Sequence, residues 1–120
     1  MTILEELKSI ITDLGFKVET GVFSEKAPSD YFVLTPLDDS FPLSADNMPM
    51  TDLCSVRITF YTQKNYLKNT KKLIRELFKN DFTITSRRFG GFDTGTNYYQ
   101  YTIDVEKNYE MEEELWQLLD

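Results

Sequence analysis

The alternation of apolar and polar residues within residues 51–63 constrains the fold of this chain more than any other feature. The run "TDLCSVRITFYTQ" places Cys54, Val56, Ile58 and Phe60 on one side, and Ser55, Arg57, Thr59 and Tyr61 on the other. Because successive side chains of a strand point to opposite faces of a sheet, this pattern predicts a β-strand with one face in the core. Such a strand needs a second layer to cover its apolar face.

Two amphipathic segments can supply that layer as helices. In "TILEELKSIITDL", residues 2–14, Thr2 is a candidate N-cap, Glu5 completes a capping box, and Gly15 follows as a stop signal. In "NYLKNTKKLIRELFKN", residues 65–80, helical spacing predicts a buried stripe of Leu67, Ile74, Leu77 and Phe78. The same spacing predicts an outer row of Lys68, Lys71, Lys72, Arg75 and Lys79.

Four further segments read as strands. "FKVETGVF" at 16–23 is short and β-like, and "YFVLTPL" at 31–37 is an apolar strand ended by Pro36. "FTITSRRF" at 82–89, a glycine-rich turn at 90–97, and "YYQYTIDVEK" at 98–107 form a hairpin. The predicted order is α-β-β-β-α-β-β. We expect an α+β domain over 1–107, a single mainly antiparallel sheet of about five strands with two helices on one face, and a C-terminal acidic tail over 108–120.

Composition narrows the class of protein. The 120 residues suit one domain, 41% are hydrophobic, and no apolar run approaches the roughly 20 residues that span a bilayer. The start of the chain has no signal-peptide pattern, and Cys54 is the only cysteine, which fits synthesis in a reducing cytoplasm. The chain has no histidine, the commonest general base and metal ligand. We therefore expect no enzyme, no cofactor, no metal site, no small-molecule substrate and no membrane association.

Charge is unevenly distributed. Eight basic and two acidic residues lie between Lys64 and Arg88, a local net charge of +6, whereas the whole chain carries −7 and the remainder therefore −13. The negative total disfavours nucleic-acid binding. A two-signed surface suits head-to-tail contact between identical subunits, with Lys68, Lys71, Lys72 and Arg75 as contacts. A solvated helix face explains the same residues equally well.

The segment "DDSFPLSADNMPM", residues 38–50, has neither helical period nor strand alternation, yet it carries Phe41, Leu43, Met48 and Met50. Structureless connections of more than about 12 residues are usually functional or disordered. The segment is therefore a candidate arm that packs on a neighbouring subunit. The alternative is a lid over the sheet edge of its own domain.

The acidic end "EMEEELWQLLD", residues 110–120, has apolar residues at helical spacing: Met111, Leu115, Leu118 and Leu119. A short helix covering the sheet or fraying in solvent is the simpler interpretation. The functional interpretation is a partner-docking helix anchored by Trp116.

The order of elements resembles the small tail-terminator and tail-completion (neck) proteins of tailed bacteriophages. Segments such as "ILEELKSIITDL", "DYFVLTPLDD", "SVRITFYTQ", "TKKLIRELF" and the late hairpin carry the resemblance over roughly residues 1–107. It implies an α+β subunit that assembles into a ring, commonly a hexamer, at the end of the tail tube. It supplies no residue-level motif.

Two function classes follow. The first is a structural virion protein of a phage or prophage, made in the bacterial cytoplasm, whose partners are itself and other tail or neck proteins. The second is a small cytosolic adaptor, monomeric or dimeric, that binds another protein. Self-association in solution distinguishes the two.

Overall fold

The computed structural model describes residues 2–21, 28–40 and 51–110. The elements in chain order are α1 (Ile3–Asp13), β1 (Lys17–Thr20), β2 (Asp30–Ser40), β3 (Thr51–Thr62), α2 (Leu67–Lys79), β4 (Thr83–Asp93) and β5 (Tyr98–Glu110). The predicted order α-β-β-β-α-β-β and the α+β class are confirmed. Because β5 continues to Glu110, residues 108–110 lie in the sheet.

The five strands form one sheet in the order β1-β2-β3-β5-β4. The short β1 pairs with β2 in parallel, and the other three pairings are antiparallel. The central pair, β3 and β5, stays in uninterrupted register from Thr51 opposite Glu110 to Thr62 opposite Tyr99. The strand with the clearest alternation in the sequence is thus the middle strand of the sheet.

The core lies between this sheet and the two helices. Its fully buried side chains are Leu7 and Ile11 of α1, Leu73 and Leu77 of α2, and Phe32, Leu34, Val56, Ile58, Phe60, Ile103 and Val105 of the strands. Phe32 and Phe60 stack with ring centroids 4.4 Å apart. Burial of Val56, Ile58 and Phe60 confirms the predicted faces of β3, and each such side chain contributes about 1.5–3 kcal/mol.

Helix α1 begins at the predicted capping box. The Thr2 hydroxyl oxygen accepts the Glu5 N–H at 3.2 Å, and the Glu5 carboxylate accepts the Thr2 N–H at 3.3 Å. The side-chain hydrogen bond with Thr2 is the main reason that the pKa of Glu5 lies below its usual value. After the helix Gly15 has φ +94°, a left-handed conformation that favours glycine.

A charged cluster joins α1, the end of α2 and β5. Lys107 Nζ donates to both Glu6 carboxylate oxygens, at 3.0 and 2.9 Å, and to the Asn80 carbonyl at 2.7 Å. The Tyr109 hydroxyl donates to Glu6 Oε1 at 2.7 Å. Burial, and then this hydrogen bond, raise the pKa of Tyr109. The Lys107 and Glu6 side chains are only 20% and 17% exposed.

The predicted buried stripe of α2 is wrong at two of its four positions. Leu77 is fully buried and Ile74 half-buried, but Leu67 is 50% and Phe78 62% exposed. The centre of the buried face runs through Thr70, Leu73 and Leu77. The Thr70 hydroxyl is accommodated there because it donates to the Tyr66 carbonyl at 2.9 Å, one turn earlier. Leu67 and Phe78 therefore lie outside this buried face of the helix.

Two strand ends also differ from expectation. Pro36 does not end β2, which continues to Ser40 with a register shift after Pro36. Since β1 covers β2 only as far as Leu34, Pro36 is at a sheet edge, where a missing N–H is tolerated. Gly90 and Gly91, expected to supply a bulge or a turn, lie at a bulge inside β4, so the hairpin turn begins only after Asp93.

Candidate interaction surface

The helices cover only part of the length of the sheet. A 13-residue strand such as β5 is about 43 Å long, whereas a 13-residue helix such as α2 is about 20 Å long. The end of the β4–β5 hairpin therefore projects beyond the first turn of α2. The apolar side chains there lie on the helix side of the sheet, beyond the length that α2 covers.

Five residues at this end form what we call the aromatic patch: Tyr66, Leu67, Phe89, Phe92 and Tyr99. Leu67 is 50%, Phe89 48% and Phe92 44% exposed, while the two tyrosines are half-buried. Scattered exposed apolar residues are normal on a protein surface. A group of exposed apolar side chains at one place on the surface is a feature of interaction sites.

Ring packing holds the patch together. Tyr66 stacks on Phe89 at 5.2 Å between centroids, and on the adjacent Tyr101 at the same distance. Phe92 packs against Tyr99 at 4.6 Å, and Phe89 lies 6.3 Å from Tyr99. Such pairs contribute about 0.5–1.5 kcal/mol beyond the area they bury. The exposed rings are therefore fixed in position by half-buried neighbours, as a preorganised binding surface requires.

The connection between β3 and α2 positions the helical half of the patch. The Asn65 side chain accepts the Leu67 N–H at 2.9 Å, and the Thr62 hydroxyl accepts the Lys64 N–H at 3.1 Å. The Gln63 amide donates to the carbonyl of Thr96 in the hairpin turn at 3.2 Å. These bonds tie the start of α2 to the hairpin that carries Phe89 and Phe92.

The predicted cations Lys68, Lys71, Lys72 and Arg75 are all exposed on α2. Across residues 2–21, 28–40 and 51–110, the ion pairs are Arg57–Asp104, Lys79–Glu76 and Lys107–Glu6, so these four cations form none there. Their exposure agrees both with a contact surface and with a solvated helix face.

Four cations border the aromatic patch. Lys64 lines the same shallow groove as Tyr66, Leu67 and Tyr99. Lys68 follows Leu67 directly, and Lys71 lies one helical turn after it. Arg87 lies two residues before Phe89 and on the same face of β4. An apolar centre with a positive border favours an acidic, apolar partner.

The opposite face of the sheet carries a second aromatic group, the tyrosine cluster of Tyr31, Tyr61 and Tyr98. Tyr31 and Tyr61 stack at 4.9 Å, and Tyr98 meets Tyr31 edge-on at 5.5 Å. Burial is the main cause of the raised pKa of Tyr31, and repulsion from Tyr61 and Tyr98 adds to it. The three tyrosines line a cleft together with Gly91, which has φ +115°.

Arg57 and Asp104 form a two-pronged ion pair further along this opposite face. Arg57 Nε lies 2.9 Å from Asp104 Oδ1, and Arg57 Nη2 lies 3.1 Å from Oδ2. The two residues are directly opposite each other on β3 and β5. This pair joins two opposite charges on that face, whereas the four cations at the border of the aromatic patch form no ion pair within the described residues.

The remaining predicted contacts, Phe41, Leu43, Met48, Met50 and Trp116, lie outside the described residues. Two of the predicted contacts, Lys68 and Lys71, lie next to the aromatic patch. The patch itself was not predicted from the sequence. One available signal was the pair Phe89 and Phe92 on either side of two glycines. Another was Leu67 at the very start of α2, where it lies beyond the central buried stripe.

Cys54, predicted to be a small buried hydrophobe, is half-buried. Burial raises the pKa of its thiol to about 11, and a hydrogen bond with Asp39 and the negative charges of Asp39 and Asp52 add to the effect. A thiol with a raised pKa is a weak nucleophile at neutral pH.

Within the described ranges, no three residues among Asp, Glu, Cys and His are grouped to hold a metal ion. Over the same ranges, no helix is long and apolar enough to cross a membrane. No protein-family model matches the chain, and a search of curated proteins finds no match.

Proposed function

We propose that this chain is a structural subunit of a phage or prophage tail or neck. In this role it assembles with copies of itself into a ring that completes the tail and joins it to the head. The assignment to a phage tail or neck rests on the resemblance described above, which concerns the order of the elements and the sequence character of the segments. Self-assembly rests on one structural observation, the aromatic patch with its positive border.

The patch supports assembly because Tyr66 and Tyr99 join its three half-exposed apolar side chains into one surface. An interface needs such a centre surrounded by polar residues, and large aromatic side chains often supply most of its binding energy. Among the described strands β4, which carries Phe89 and Phe92, is at the edge of the sheet, beside the patch. Phe41, Leu43, Met48 and Met50 are proposed as a second contact of the same assembly.

Charge favours a second copy as the partner. The segment from Lys64 to Arg88 carries +6 and the rest of the chain −13, so one copy offers both signs. Surfaces of opposite sign on one subunit favour head-to-tail contacts, which close into rings when the rotation between subunits allows it. Such contacts weaken with salt, because exposed charges are screened beyond about 10 Å at roughly 0.1 M ionic strength.

The test measures molar mass by sedimentation velocity over a range of protein and salt concentrations. We expect the wild-type chain to form oligomers that dissociate as salt rises. Lys68→Glu with Lys71→Glu should weaken association by about tenfold or more, while the melting temperature changes little because both side chains are exposed.

The matched control is Lys8→Glu with Lys17→Glu, which changes the net charge equally at exposed positions on α1 and β1. Equal effects of the two double variants would show that net charge matters and the α2 surface does not. A wild-type chain that stays monomeric at high concentration would count against the ring and favour the adaptor.

A further inference from the structure

We infer that the aromatic patch of one copy is the docking site for residues 110–120 of a neighbouring copy. This inference rests on the proposed self-assembly and identifies the two surfaces that meet. The patch supplies an apolar centre with a positive border. The segment "EMEEELWQLLD" is the part of the same chain with the opposite character.

The chemistry of the two surfaces is complementary. Residues 110–120 contain five acidic residues and no basic residue. They also contain Leu115, Trp116, Leu118 and Leu119, which helical spacing places near one another. The patch has exposed rings at Phe89 and Phe92, bordered by Lys64, Lys68, Lys71 and Arg87. Trp116 inserts among the aromatic rings, and the glutamates meet the cations.

A helical segment is too short to place Trp116 in the patch of its own copy. Glu110 is the last residue of β5, and Phe89 of the patch lies opposite Tyr101, nine residues earlier in that strand and about 30 Å away. Trp116 follows Glu110 by six residues, which is about 9 Å along a helix and about 21 Å fully extended. A helical segment therefore ends about 21 Å short of Phe89, so a segment that docks as a helix comes from a second copy.

This arrangement makes the contact directional. Each copy presents one patch near the hairpin end and one acidic segment after the far end of β5. Each copy therefore donates one segment and accepts one. Repetition of such a head-to-tail contact gives an open filament or a closed ring, and a reciprocal exchange between two copies is the smallest closed form.

Two complementary full-length variants test the inference. The first, Leu115→Ser with Trp116→Ser and Leu118→Ser, keeps the patch and loses the docking segment. The second, Phe89→Ser with Phe92→Ser, keeps the segment and loses the patch. Each alone should self-associate about tenfold or more weakly than the wild type.

Mixing the two variants restores one productive contact. Since Trp116 is the only tryptophan, the second variant carries the only tryptophan in the mixture. We expect its emission to shift to shorter wavelength as the first variant is added, and a 1:1 heterodimer by sedimentation. Addition of a variant with all five substitutions is the control and should give neither change.

If Phe89→Ser with Phe92→Ser fails to fold, Leu67→Ser replaces it, because Leu67 is half exposed on the helix. No emission shift and no heterodimer, with a wild-type chain that still self-associates, would overturn the docking inference and leave the proposed assembly intact. A monomeric wild-type chain with no shift in the mixture overturns both. A shift with a 1:1 heterodimer supports the inference whatever the size of the wild-type oligomer.

Discussion

Replacement of Lys107 by Met should destabilise the domain far more than replacement of a typical surface lysine. The Lys107 ammonium makes three hydrogen bonds, two to Glu6 and one to the Asn80 carbonyl at the end of α2. It also lies 4.8 Å from the centre of the Phe82 ring. Lys107→Met keeps most of the apolar stem and removes only the charge and the donors.

The expected cost lies between two limits. Exposed ion pairs contribute about 0.2–1 kcal/mol, whereas breaking a fully buried pair costs about 3–5 kcal/mol. At 20% and 17% exposure, Lys107 and Glu6 are mostly but not fully buried. We therefore expect Lys107→Met to lower the free energy of unfolding by about 2 kcal/mol, which is also typical of a hydrogen bond to a charged group. The melting temperature should fall by about 8 °C.

Urea unfolding followed by circular dichroism measures the effect, and Lys79→Met is the matched control. Lys79 pairs with Glu76 at 3.3 Å but is 63% exposed, so its loss should cost less than about 0.5 kcal/mol. In a Glu6→Gln background, Lys107→Met should cost about 1–2 kcal/mol less than in the wild type. Equal costs at Lys107 and Lys79, or no coupling to Glu6, would refute the reasoning.

Two further predictions concern the core and the thiol. Phe60→Ala should cost about 3–5 kcal/mol in urea unfolding, whereas Leu67→Ala should cost less than about 0.5 kcal/mol because Leu67 is half exposed; similar costs would contradict the assigned faces of α2. The raised pKa of Cys54, about 11, means that the unfolded chain loses the thiol proton first, near pH 8.5. Stability should therefore fall as pH rises from about 8.5 to 11, and Cys54→Ala should make that fall smaller; an unchanged pH dependence would show that Cys54 makes no contribution.

Local signals in the sequence predicted most of the secondary structure. The alternation in β3 fixed which side chains enter the core, and Val56, Ile58 and Phe60 are buried as expected. The Thr2–Glu5 capping box formed as predicted, because its donors and acceptors lie within four residues. Such features depend on neighbours along the chain, so they can be read without knowledge of the rest of the fold.

Other features depend on partners that are distant in the sequence. Pro36 could stay within β2 because β1 ends its pairing at Leu34, which local sequence does not indicate. Leu67 and Phe78 fit the helical spacing of the apolar residues in α2 nearly as well as Leu73 does. Which of them is buried depends on where the sheet lies against α2.

The sequence by itself determined the α+β class, the order of elements, the apolar face of β3 and the positive charge of α2. The tertiary structure decided that the sheet extends beyond its helices and that Tyr66 and Tyr99 join Leu67, Phe89 and Phe92 into one patch at that end. The physical reason is geometric, because a strand rises about 3.3 Å per residue and a helix only 1.5 Å. Elements of similar residue number therefore differ about twofold in length, and the exposed remainder appears only when they are packed together.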